Sequence, residues 1–98
     1  MPIKEYLRGR TVRISASVVD EAGAATDPSI CVLHLRSPDG TETSYTYGTD
    51  PEVQRDSLGH FSADFVLEDA GRYEYLWQTV NPTGVDEGRF QVVQGAFS

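Results

Sequence analysis

Hydrophobic and polar residues alternate one for one through several short stretches of this chain. The sharpest is Leu67–Thr79, LEDAGRYEYLWQT. There Tyr73, Tyr75 and Trp77 share one face, and Arg72, Glu74, Leu76 and Gln78 share the other. A period of two marks a half-buried strand, because successive side chains point to opposite faces. Three large rings on one face predict the centre of a core, with the other strands packed around it.

Thr11–Asp20 is the first clear strand, with Val12, Ile14, Ala16 and Val18 inward and Arg13, Ser15 and Ser17 outward. Residues 1–10 predict an arm or a short edge strand anchored by Ile3 and Leu7. Asp20–Ser29 is rich in turn formers and reads as a loop. In Ile30–Arg36 both parities carry apolar residues. His34 and Arg36 share the parity of Ile30 and Val32, so Cys31, Leu33 and Leu35 face inward. Ser37-Pro38-Asp39-Gly40 is a turn, followed by a strand over Thr41–Tyr47. Gly48–Ser57 is the least regular part: Pro51 breaks any strand there, and Val53 is its expected buried anchor. In His60–Leu67, Phe61, Ala63, Phe65 and Leu67 point inward and His60, Ser62 and Asp64 outward. Asn81–Glu87 reads as a loop, and Gly88–Val93 as a last strand with Phe90 and Val92 inward. About six or seven short strands without a helix predict an all-β antiparallel sandwich of about seven strands. The expected layout is an arm over residues 1–10, a sandwich over 11–93 and a tail over 94–98 in which Phe97 is the one residue able to dock.

Ninety-eight residues suffice for one domain with one modest core. Fifteen acidic residues against eight basic ones give a net charge of −7, which argues against general nucleic-acid binding. The one short basic cluster is Lys4, Arg8 and Arg10. No stretch resembles a signal peptide, and no apolar run approaches the ~20 residues of a spanning helix. Cys31 is alone, so no intrachain disulfide forms, and folding in a reducing cytoplasm without a membrane step is expected. Its alternation with Leu33 and Leu35 marks it as a small buried apolar residue.

Candidate chemistry is sparse. His34 and His60, with Asp64 nearby in sequence, are candidates for a metal site, but no metal-binding spacing is present. The acidic pairs Asp20 and Glu21, Asp50 and Glu52, and Asp86 and Glu87 could offer oxygens to calcium, yet no calcium-loop pattern occurs. Asn81-Pro82-Thr83 has proline where a glycosylation acceptor cannot. Neither cofactor nor metal is expected, and no enzyme activity. A glycan-binding surface would need exposed aromatics in a groove, for which Tyr45 and Tyr47 are the candidates.

Asp69-x-Gly71-x-Tyr73-x-Tyr75 resembles the D-x-G-x-Y-x-C signature of immunoglobulin domains, in which the first tyrosine returns its hydroxyl to nearby backbone. The resemblance puts Tyr73 at that corner. It puts Ala16 and Tyr75 where the disulfide pair would be, a small residue facing a large one. The chain departs from the family in lacking that cysteine pair and in carrying Trp77 on the same strand as Tyr73. With Leu33, these residues make the expected structural core. The resemblance also joins the strands of Ile30–Arg36, Leu67–Thr79 and Gly88–Val93 in one sheet. Ile30, Val32, Leu76, Val80 and Val93 would then line its solvent side as an apolar patch, the expected partner-binding surface. Leu76→Asp is expected to disrupt assembly and spare the fold.

The runs TVRISASVVD, LHLRSPDGT, FSADF, DAGRYEYLW and EGRFQVV together resemble small immunoglobulin-like structural proteins of tailed bacteriophages and prophages. That resemblance implies a virion component without catalysis: a capsid decoration protein, or a neck or head–tail connector accessory. Such a protein is made in the host bacterial cytoplasm and present in multiple copies or as a homo-oligomer. Its partners would be other virion proteins (capsid, portal, connector or tail), with no nucleic acid and no membrane. A glycan- or cell-surface-binding adhesion module is the alternative.

Overall fold

A computed structural model describes residues 4–94. Eight strands appear in chain order: β1 Lys4–Leu7, β2 Thr11–Ser17, β3 Ile30–Arg36, β4 Glu42–Thr46, β5 Val53–Ser57, β6 His60–Val66, β7 Gly71–Val80 and β8 Gly84–Val93. They form a five-stranded sheet, β1-β8-β7-β3-β4, and a three-stranded sheet, β2-β6-β5. The molecule is an all-β sandwich with the strand order of the immunoglobulin fold, in which β2, β5 and β6 oppose the sheet centred on β7. All neighbours are antiparallel except β1, which runs parallel to β8.

The core sits between the layers. Val12, Ile14 and Ala16 of β2, Cys31, Leu33 and Leu35 of β3, and Phe61 and Ala63 of β6 are all buried. From β7 and β8 come Tyr73, Trp77, Phe90 and Val92. Trp77 stands between Leu33 on β3 and Asp86 on β8. The Tyr73 ring stacks on Phe90 with centroids 5.3 Å apart. The Tyr73 hydroxyl donates to the backbone oxygen of Asp69 at 2.9 Å, which is the corner the resemblance implies. Gly71, at φ +137°, lies against Pro38, and a Cβ there would stand 2.7 Å from the proline ring.

Several expectations are corrected. Gly48–Ser57 contains a strand, β5, on the sheet edge. Only its first residue, Val53, is buried, so it carries almost no apolar alternation. β8 starts at Gly84 and not at Gly88, because it pairs with the whole length of β7. Ser62 points to the outer face yet is buried, and it donates to Asp56 at 3.0 Å. In β1 the inward anchor is Tyr6, edge-on to Phe90, whereas Leu7 is 48% exposed. Ile3 and Phe97 lie outside the described residues. The room for Tyr75 comes from Gly88 of β8, directly opposite it in register, and not from Ala16. Tyr75 is half-buried against the core rather than fully inside it.

Candidate functional site

The outward face of β3, β7 and β8 is a ladder of cross-strand rows. Ile30 opposes Val80, Val32 opposes Gln78, His34 opposes Leu76 and Arg36 opposes Glu74. On the other side of β7, Gln78 opposes Val85, Leu76 opposes Glu87 and Glu74 opposes Arg89. The five aliphatics expected to form one patch therefore divide. Ile30, Val32 and Val80 lie together at one end, and Val85 joins them across Gln78. Ile30 is 48% exposed and Val85 is 65% exposed. Val93 stands beside Leu7 near the other end of the sheet. About nine residues of strand separate its row from Val80, or ~30 Å.

Leu76 falls between these ends inside a polar belt. His34 Nδ1 lies 2.7 Å from Ser44 Oγ, and its Nε2 lies 3.2 Å from Gln78 Oε1. Arg36 reaches Glu42 at 3.4 Å and Glu74 at 3.6 Å. His34, Arg36, Glu42, Glu74, Leu76 and Glu87 border a shallow depression of about 310 Å³. These side chains reach neighbours on both flanking strands. Exposed ion pairs of this kind add little stability, so their contribution is to shape and specificity.

The metal and calcium candidates are dispersed by the fold. His34 is on the five-stranded sheet and His60 on the three-stranded one, where His60 Nδ1 lies 3.1 Å from Ser17 Oγ. Asp64 receives two hydrogen bonds from Arg13, whose guanidinium holds its carboxyl below the ordinary carboxylate range. Asp20 accepts from the backbone of Ala22 and Ala24, and Asp50 accepts from Thr46 N. Asp86 and Glu87 are consecutive in β8 and so point to opposite faces. Among the described residues no group of three His, Cys, Asp or Glu stands close enough to hold a metal ion. Tyr45 packs on Phe65 with centroids 5.1 Å apart, and Tyr47 packs edge-on against Phe61 at 5.2 Å. Tyr45 is half-buried against the core, whereas Tyr47 stays 43% exposed.

No family model matches the sequence, and no curated protein matches it. One solved structure, a "putative glycoside hydrolase from Bacteroides vulgatus ATCC 8482", contains a similar fold. Its superposition has a TM-score of 0.62 at 11% identity and covers 95% of this chain. The chain spans 17% of that protein's length. A likeness of this kind establishes the sandwich and no more.

The residue that sequence reasoning missed is Val85. It was expected in a loop, yet it extends the Ile30, Val32 and Val80 cluster onto a third strand. The signal was present in the alternation of Val85, Glu87 and Arg89, with Gln91 and Val93 beyond. The Thr83-Gly84 turn pair masked it.

Proposed function

We propose that this chain is a non-catalytic structural protein of a tailed-phage virion, of the capsid-decoration or neck and connector class, and that it works by surface contact. The observation that carries the reading is the aliphatic cluster Ile30, Val32, Val80 and Val85 on the solvent side of the five-stranded sheet. Apolar side chains gathered across three strands favour removal from water by another protein surface. The hydrogen-bonded polar belt beside them would set the register of that contact. The sequence resemblance to phage immunoglobulin-like proteins supplies the kind of partner: capsid, portal, connector or tail subunits. Many copies, each held weakly, would give a stable array through avidity.

The test is mass spectrometry of particles purified on a density gradient from the bacterium that carries the gene. The chain is expected in the particle band in a fixed ratio to the capsid or tail proteins. Its presence only in the free protein fraction would overturn the reading. Binding of the purified chain to a glycan array would favour the adhesion alternative.

A further inference from the structure

The inward-facing positions of β8 change character along the strand. Phe90 and Val92 are buried in the core, but the three before them are Gly84, Asp86 and Gly88. The Tyr75 ring covers Gly88. Gly84 and Asp86 bring no apolar side chain to the inner face. A cleft of about 190 Å³ lies there, lined by Ala16, Val18, Trp77, Pro82, Gly84 and Asp86 among others. Alanine, valine, proline and tryptophan make most of its wall. Its volume is well above the ~10–15 Å³ that a single water needs.

Two polar groups meet at this cleft, and both lack a partner among the described residues. Trp77 is 1% exposed, yet its Nε1–H has no acceptor. A buried donor left unpaired is costly, and native chains leave few of them. Asp86 is exposed and makes no hydrogen bond or ion pair. The two residues stand opposite one another in the β7–β8 register, so their side chains leave the sheet on the same inner face. Alternation calls for an apolar residue at position 86, as at Phe90 and Val92. A carboxylate there, beside an unpaired indole donor, gives an apolar cleft one donor and one acceptor on neighbouring strands.

We infer that this cleft is a binding site for a carboxamide carried on a short apolar stem, as on an asparagine or glutamine side chain of a partner protein. The amide oxygen accepts from Trp77 Nε1–H, and the amide N–H donates to the Asp86 carboxylate. The two groups together narrow the ligand class. A carboxylate ligand offers Trp77 an acceptor but is repelled by Asp86. An ammonium ligand pairs with Asp86 but gives Trp77 no acceptor. A water can bridge the pair, but it leaves the apolar walls wet, whereas an aliphatic stem removes them from water. This inference rests on the assembly reading only for the amide belonging to a particle protein.

The test uses the purified full chain, in which Trp77 is the single tryptophan. The probe is isobutyramide, read on the indole Nε1–H resonance by NMR. The amide is expected to move that resonance downfield and to saturate. Isobutyrate, of the same shape but negatively charged, is expected to bind at least about tenfold more weakly. Asp86→Asn keeps the side-chain size and should remove most of that preference, with a melting temperature that shows the variant folded. The inference is overturned if the amide leaves the indole resonance unmoved, if the acid binds the parent as well as the amide does, or if Asp86→Asn keeps the parent's preference. It is also overturned if Asp86→Ala moves the resonance as far with no amide present, because Asp86 would then be the indole's own acceptor. Absence of the chain from particles would sink the assembly reading and leave amide binding standing. Incorporation of a chain that binds no amide would do the reverse.

Discussion

The Tyr75 ring lies on the backbone of Gly88, its cross-strand neighbour in β8. A Cβ at Gly88 would stand 2.6 Å from Tyr75 Cζ and 3.0 Å from Cε1. Aromatic cover of a strand glycine removes the solvent gap that glycine leaves, a pairing used to stabilise sheets. Gly88→Ala is therefore expected to destabilise the chain by about 1–3 kcal/mol, as overpacking does. In a Tyr75→Leu background the same substitution should cost less than half as much. Urea unfolding of the four chains gives the coupling, and equal costs in both backgrounds would show that the ring is not the cause.

Tyr73 fixes the entry of β7 through a single oxygen. Tyr73→Phe keeps the stack on Phe90 and loses only the donation to Asp69 O. The expected loss is about 1 kcal/mol, the usual net value of one such bond. Tyr73→Leu removes the stacked ring as well and should cost clearly more. Thermal unfolding of both variants separates the hydroxyl from the ring. A Tyr73→Phe chain as stable as the parent would mean that the corner adds nothing here.

Asp27 ties the loop after β2 to the turn between β5 and β6. Its carboxylate accepts from Arg55 Nε at 3.0 Å and from Gly59 N at 2.8 Å. Those two donors, the Arg55 hydrogen bond first, hold its pKa below the ordinary carboxylate range. A carboxyl depressed in the folded chain stabilises it above its unfolded pKa, and that contribution fades as pH falls through the folded value. The melting temperature of Asp27→Asn should therefore trail the parent at neutral pH and meet it in acid. A gap that does not change with pH would assign the effect to geometry and not to charge. Gly59→Ala is the contrast. Gly59 has φ +72°, and a Cβ would stand 2.6 Å from Val18 O, so this substitution should destabilise at every pH.

Cys31 is 2% exposed, and burial pushes its thiol pKa up to about 11. It is expected to resist a thiol reagent in the folded chain and to react at the rate of unfolding. Fast reaction under native conditions would show that β3 opens locally.

Parity along single strands made most of the core legible. Val12, Ile14 and Ala16, then Cys31, Leu33 and Leu35, then Phe90 and Val92, all face inward as their alternation requires. Parity says which face a residue takes but not which row it joins. Val80 and Val93 share a face, yet the β7–β8 register sets them far apart. β5 was hidden because it is an edge strand whose only buried residue is Val53. Ser62 takes the outer face as its parity requires, but its burial was not legible, because a small side chain in the central strand of β2-β6-β5 is covered by its neighbours. Strand pairing decides both facts, and pairing is a property of the whole chain.

The aliphatic end of the five-stranded sheet gives the sharpest assay of assembly. Ile30 and Val85 are its most exposed members, and neither belongs to the buried core. Replacing them together, Ile30→Asp with Val85→Asp, places two carboxylates where a dry contact is proposed, while changing little that the fold needs. Surface changes of this kind usually move stability by under ~0.5 kcal/mol. The double variant should therefore melt within a few degrees of the parent and yet be lost from purified particles. Leu76→Asp, inside the polar belt, should weaken incorporation less, because its neighbours His34 and Glu87 already keep that row wet. Particle mass spectrometry on the three chains ranks them. Full incorporation of the double variant would exclude this end of the sheet as the contact.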